Sequence, residues 1–205
     1  GDIFSRCSEQ SVVRFFQDIG KCIHIREMYF ICTDLTAIID KLGGVMKKSD
    51  NITHWLAEEC DLGVDELNFL FNVFRDMENL EELSIDNGDR ILDDDAMAGG
   101  IKSLAACTSM RGLNLSLPGL STNSWAALSA IFPRMISLQE LSIENADHSL
   151  NDDIMAGYIP SLKDCTAMLR LNLSRLGSST KSCAALSVIF PRMISLRQLR
   201  LTKNS

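Results

Sequence analysis

Proline is scarce in this 205-residue chain, with 4 in all, and no apolar run approaches the roughly 18 residues that a membrane-spanning helix needs. A bilayer span is therefore not expected, and neither is a membrane partner. Basic residues are outnumbered, 20 Lys and Arg against 27 Asp and Glu, for a formal charge of −7. Phosphate backbones demand a basic face, so nucleic acid is not an expected partner. Hydrophobic residues make up 46% and charged ones 23%, which excludes disordered and collagen-like chains. The first residues, Gly1-Asp2-Ile3, supply neither an initiator Met nor a basic and then apolar leader. The expectation is a piece of a longer protein, without a signal peptide.

Close cysteine pairs are lacking too. The seven thiols (Cys7, Cys22, Cys32, Cys60, Cys107, Cys165 and Cys183) are odd in number and contain no C-x-x-C, so neither a disulfide framework nor a zinc site is expected. His24, His54 and His148 stand apart from one another. No cofactor and no metal are expected. Reduced thiols and a cytoplasmic location are the simpler reading.

What the chain does have is a repeat. Residues 80–137 align with 138–195 without a gap, at roughly two-thirds identity. Ile131-Phe132-Pro133-Arg134-Met135-Ile136-Ser137 returns unchanged at Ile189 to Ser195. Within each copy the pattern L-x-x-L-x-L occurs twice. It starts at Leu80, Met110, Leu138, Met168 and Leu196, with a weaker copy at Ile52.

The last two apolar residues of the pattern lie two apart, so they share one face of a strand. Helical spacing follows each strand. Trp125, Leu128, Ile131, Phe132 and Met135 mark one helix, entered at Thr122-Asn123-Ser124 and ended or kinked by Pro133. Ile154, Met155, Ile159, Leu162 and Cys165 mark the other, opened by Asn151-Asp152-Asp153 and kinked by Pro160, where the earlier copy has Lys102. One strand and one helix cannot bury their own apolar faces, but a stack of them can. The fold expected is an α/β solenoid segment shaped like a horseshoe, with a parallel sheet on the concave side and helices on the convex side.

With full helices and units alternating between 28 and 30 residues, the chain resembles the ribonuclease-inhibitor type of leucine-rich repeat. The strings GGIKSLAACTSMRGLNLS and SWAALSAIFPRMISLQELSI resemble the C-terminal repeats of NOD-like receptors, of the kind found in the neuronal apoptosis inhibitory protein and its CARD-containing partner receptor. The resemblance covers roughly residues 52–205. It implies a cytosolic innate-immune module that senses a ligand or holds a nucleotide-binding domain inactive, and it would place that domain and a winged helix upstream. The family's ninth motif position usually holds Asn or Cys. Here it reads Gly88, Pro118, Ala146, Leu176 and finally Asn204, so looser turns are expected.

Residues 1–51 are expected to form a helical cap and an irregular first repeat. Val12, Val13, Phe15, Phe16 and Ile19 form one helical stripe. Residues 33–48 are expected to contain a second helix, Leu35 to Ile39, ended by Gly43-Gly44. Gly43 to Ser49 lacks the second Gly of a phosphate loop and reads as a helix C-cap. Asp93-Asp94-Asp95 lacks the spacing of a calcium loop and reads as helix capping. The sequons at Asn51, Asn114 and Asn172 read as structural. No catalytic constellation is present, so an enzyme is not expected.

Outward strand positions would line the concave face and offer a protein-binding surface: Glu82, Ser84, Asp86, Gly112, Asn114, Ser116, Glu140, Ser142, Glu144, Arg170, Asn172, Ser174, Gln198, Arg200 and Thr202. Their charge runs from acidic to basic, which suits a protein ligand, or another domain of the same receptor, with its own charge pattern. The bare edge of the last repeat is expected to self-associate. Two other readings stay open: a free-standing binding scaffold of the ribonuclease-inhibitor kind, and a secreted recognition protein of the variable-lymphocyte-receptor kind.

Overall fold

In the computed structural model, which describes residues 4, 7–22, 24–49, 51–145, 152–174 and 180–202, strands and helices alternate along the chain. The order is α1 (Glu9–Ile19), β1 (Glu27–Ile31), α2 (Ile39–Met46), β2 (His54–Glu58), α3 (Val64–Arg75), β3 (Glu82–Asp86) and α4 (Asp94–Ser103). It continues with β4 (Gly112–Ser116), α5 (Thr122–Ile131), β5 (Glu140–Glu144), α6 (Asp152–Tyr158), β6 (Arg170–Asn172), α7 (Thr180–Ile189) and β7 (Gln198–Arg200). The seven strands form one parallel sheet in chain order.

The register is what the repeat dictates. Leu83, Leu113, Leu141, Leu171 and Leu199 pair along one line, each beside its counterpart in the next strand. Strands lie about 4.8 Å apart while helices need about 10 Å, so the stack curves with the sheet inside. The chain is a leucine-rich-repeat solenoid of the α/β type. Just ahead of each strand a second ladder runs through the backbone. Arg111 N–H donates to the Glu81 carbonyl at 2.7 Å, Gln139 to Arg111 at 2.8 Å, and Leu169 to Gln139 at 2.7 Å.

Between sheet and helices lies a continuous apolar core. Its amino-terminal part is aromatic: Trp55 meets Phe74 edge-on at 5.0 Å and Phe30 at 5.9 Å. Further along, Leu, Ile and Met from both layers surround the buried Trp125 and Phe132. Buried thiols tie neighbouring units. Cys107 Sγ donates to the Phe74 carbonyl at 3.4 Å, and Cys165 Sγ makes the equivalent bond to Phe132 at 3.5 Å.

Both prolines act where expected. α5 stops at Ile131, and Phe132–Arg134 tightens into a 3-10 turn around Pro133. α6 stops at Tyr158, ahead of Pro160, whereas α4, with Lys102 in that place, runs ten residues. A ring without an N–H cannot continue the α-helical ladder.

Four local features differ from the expectations or add to them. First, residues 22–51, expected to hold an irregular first repeat, supply a further strand of the sheet, β1, which pairs with β2 in register. Ile25, Met28 and Phe30 hold its three apolar slots, a copy without a single Leu. Second, the helix expected at Leu35 to Ile39 lies further on, at Ile39–Met46. Leu35–Ile38 forms a turn instead, in which the Asp34 carboxylate accepts the Thr36 N–H at 3.0 Å. Third, Gly43-Gly44 lies inside α2 and does not end it. A Cβ on Gly43 would stand 2.5 Å from the Phe69 ring, so the glycine lets α3 pack closely.

Fourth, the turns after the strands are not left without polar support. Asn87, one position before the usual site, is buried; its amide donates to the Leu62 carbonyl at 2.8 Å and its oxygen accepts the Leu62 N–H at 2.7 Å. Asn145 sits 58 residues on, also buried, and serves Gly119 and Leu120 in the same way. Cys60 fills the ninth position of the β2 repeat and donates to the Phe30 carbonyl at 3.4 Å. Ala146, Asn151, Leu176 and Asn204 lie outside the described residues.

Candidate functional site on the concave sheet face

Alternation along each strand turns one set of side chains into the core and the other outward. Three rows of outward residues cross the sheet. The first runs Glu27, His54, Glu82, Gly112, Glu140, Arg170 and Gln198; the second runs Tyr29, Leu56, Ser84, Asn114, Ser142, Asn172 and Arg200. The third contains Ile31, Glu58, Asp86, Ser116 and Glu144. Residues of the first two rows line an open trough of about 490 Å³, from Leu56 and Glu82 to Gln198 and Arg200.

The rows are knitted across strands. Asn114 Nδ2 donates to Ser84 Oγ at 3.0 Å, and Asn172 Nδ2 donates to Ser142 Oγ at 3.0 Å and to Glu144 Oε1 at 2.8 Å. This fixes Asn114 and Asn172 in the lattice of the sheet, in keeping with a structural reading of both sequons. In the first row Arg170 pairs with Glu140, and His54 Nε2 lies 3.4 Å from Glu82 Oε1. Gly112 leaves a dip between Glu82 and Glu140, since its missing Cβ would lie 3.3 Å from Glu82 Cγ.

Most of the residues expected on this face line the trough, and Ser116 and Glu144 stand part-exposed in the third row, with three differences. Ser174 is only 4% exposed: its hydroxyl donates to Asn172 Oδ1 at 2.6 Å and accepts the Thr202 N–H at 3.2 Å. The next unit covers it, so it closes a turn and offers nothing to a ligand. Asp86 is drawn toward its own turn, where Oδ1 accepts the Gly88 N–H at 3.0 Å. The third difference is an addition. Tyr29, Ile31, Leu56, His54 and Glu58 belong to the face; β1 has no Leu in its slots to mark the first two, and the last three lie on β2, where the motif copy is weak.

The outer edge of the trough is acidic at the amino-terminal end and basic at the other. The O–H of Tyr29 donates to Glu27 Oε2 at 2.7 Å. That bond, with some burial and the charges of Glu27 and Glu82, holds the phenol above its usual range. Among the described residues no three His, Cys, Asp or Glu side chains come together as a metal site, and no helix is long and apolar enough to cross a membrane.

No protein-family model matches this chain, and no curated protein matches it. Solved structures do. The tropomodulin C-terminal domain from Caenorhabditis elegans superposes with a TM-score of 0.56 at 12% identity, over 76% of this chain and 91% of that one. The structure of TLR13 in complex with ssRNA13 superposes with a TM-score of 0.51 at 15% identity, over 90% of this chain but only 30% of that one. At such identities the likeness is one of fold, and the fold shared is the curved, parallel-stranded α/β repeat array described above.

Proposed function

We propose that this chain is a non-enzymatic recognition module that binds a protein ligand, or another domain of its own receptor, across the concave sheet face. The observation that carries the reading is the trough itself. It runs over six strands, and in it Ser84, Asn114, Ser142 and Asn172 are held by cross-strand hydrogen bonds between flanking charges. Rigid, pre-arranged polar groups lose little freedom on binding. The finer reading is a regulatory repeat domain of a cytosolic NOD-like receptor, acting by ligand sensing or autoinhibition. It draws on the wording of the repeats and on the odd number and wide spacing of the seven cysteines, which also weigh against a secreted recognition protein. A free-standing inhibitor-like scaffold uses the same face and is the alternative.

The test compares cross-linked partners of the wild-type chain with those of two variants. One carries Asn114→Arg and Ser142→Arg on the concave face; the other carries Ser129→Arg and Ser187→Arg on the helices. Partners lost from the first and kept by the second support the reading. Partners kept by both move recognition off the sheet.

A second reading has its own observation. Leu199 is 41% exposed, although its counterparts Leu141 and Leu171 are buried. In the 205-residue chain this edge would pair with a second copy. A monomer mass that does not change with concentration in sedimentation equilibrium overturns that pairing.

A further inference from the structure

Tyr29 and Ile31 project from β1 onto the concave side, 56% and 58% exposed, while Met28 and Phe30 between them turn into the core. The register sets Tyr29 beside Leu56 and Ile31 beside Glu58. Leu56 is part-exposed and lines the near end of the trough. Three apolar side chains therefore stand together on a sheet face that is otherwise polar, an arrangement that soluble surfaces keep for contacts.

Along the strands themselves their charged neighbours are of one sign. Glu27, Glu58, Glu82 and Asp86 flank them along the three rows, and β1, β2 and β3 contain no Lys or Arg. The nearest basic group on the face is His54, beside Glu82. The other end differs, because Arg170 neutralises Glu140 there.

We infer that this end of the concave face docks a basic protein segment, which places an aliphatic or aromatic side chain against Tyr29, Ile31 and Leu56 and sets Lys or Arg against Glu27, Glu58 and Glu82. The inference rests on the concave face being a protein-binding surface and adds the chemistry of the partner. The apolar anchor supplies most of the affinity, and the carboxylates steer and select. An acidic segment meets repulsion. A second copy of this chain, with its net charge of −7, brings acid toward acid.

The probe is a short fluorescein-labelled peptide in which lysines alternate with leucine and tryptophan, read by anisotropy against the full 205-residue chain. Two companions replace its lysines by glutamate or its apolar residues by alanine. The lysine–leucine–tryptophan peptide should bind, and both companions should bind about tenfold more weakly or worse. Tyr29→Ser and Ile31→Ser should each weaken binding by about three- to tenfold. Glu58→Gln with Glu82→Gln should weaken it and flatten its dependence on salt. Ser187→Ala, exposed on α7 at the helical side, should leave it unchanged. All these positions are exposed, and unaltered melting curves establish that the variants fold.

Failure of the peptide to bind, or equal binding of the glutamate companion, overturns the inference. Binding that responds only to Arg170→Gln and Arg200→Gln also overturns it, yet leaves the concave-face reading standing. Indifference to every concave substitution removes both. A self-associated mass that Tyr29→Ser abolishes, without peptide binding, gives the patch to a second copy and overturns it as well.

Discussion

The carboxylate of Asp94, in the first turn of α4, accepts the backbone N–H of Ser124 in α5 at 3.0 Å, and the Ser124 hydroxyl donates back to the Asp94 carbonyl at 3.3 Å. Asp94 also accepts the N–H groups of Ser121 and Asn123, each at 2.8 Å. α5 begins without a cap from its own Ser121, so the preceding repeat provides one. Asp93, meanwhile, caps α4 through the Ala96 N–H. Fifty-eight residues later Asp152 and Ser182 make the same exchange at 2.9 and 3.4 Å.

Asp94→Ala should therefore destabilise the chain by about 1–3 kcal/mol, since a partly buried helix start loses its acceptor. Urea denaturation at neutral pH measures this. Burial alone would raise the Asp94 pKa, but the hydrogen bonds from Ser124, Ser121 and Asn123 together outweigh it and hold it below the usual carboxylate value. A lowered folded-state pKa gives stability that is full above the unfolded value, near 4, and is lost as pH falls through the folded one. The gap between wild type and Asp94→Asn should accordingly narrow below about pH 4.

Asn87→Ala should cost about 2–4 kcal/mol, because both backbone groups of Leu62 lose their partner in a buried turn. Asn87→Asp should do no better, as it offers no donor to the Leu62 carbonyl. Thermal melts of the two variants, set beside the exposed control Glu78→Ala, check the size.

Gly119→Ala should cost about 2–4 kcal/mol. Its φ is +96°, and a Cβ would come 2.3 Å from the Leu92 carbonyl oxygen, which is backbone and cannot swing aside. Gly99→Ala, where the added methyl meets nothing within 4 Å, should match or exceed wild-type stability in the same melts.

Thiol titration with an aromatic disulfide near pH 8 should find two classes. Cys7, Cys22, Cys32 and Cys183 are exposed, whereas Cys60, Cys107 and Cys165 should react only after denaturation. Burial pushes Cys107 and Cys165 up to about 12, which leaves almost no thiolate. Cys32 should be slow for an exposed thiol, because its hydrogen bond to Glu59 favours the protonated form. Fewer than seven thiols in denaturant would mean that some had paired.

The concave list was readable from the motif because outward positions follow from Leu83, Ile85 and their repeats two residues apart. Ser174 escaped that logic: alternation points it outward, but Thr202 of the next unit closes over it. Tyr29 and Ile31 escaped for a different reason. Their strand is marked by Ile25, Met28 and Phe30, apolar residues that also suit a helix or a buried loop, and only pairing with β2 makes them a strand.

By itself, then, the sequence determined the solenoid: repeat length, strand sites, their shared register, and the helix ends at Pro133 and Pro160. These are consequences of local geometry, since side-chain alternation and a missing N–H act within a few residues. Tertiary structure alone decided which polar groups serve a neighbouring unit. Asp94 capping α5, Asn87 closing the Leu62 turn and Tyr29 meeting Leu56 each join residues about 25 to 30 positions apart. Such contacts exist only once one coil has stacked upon the next.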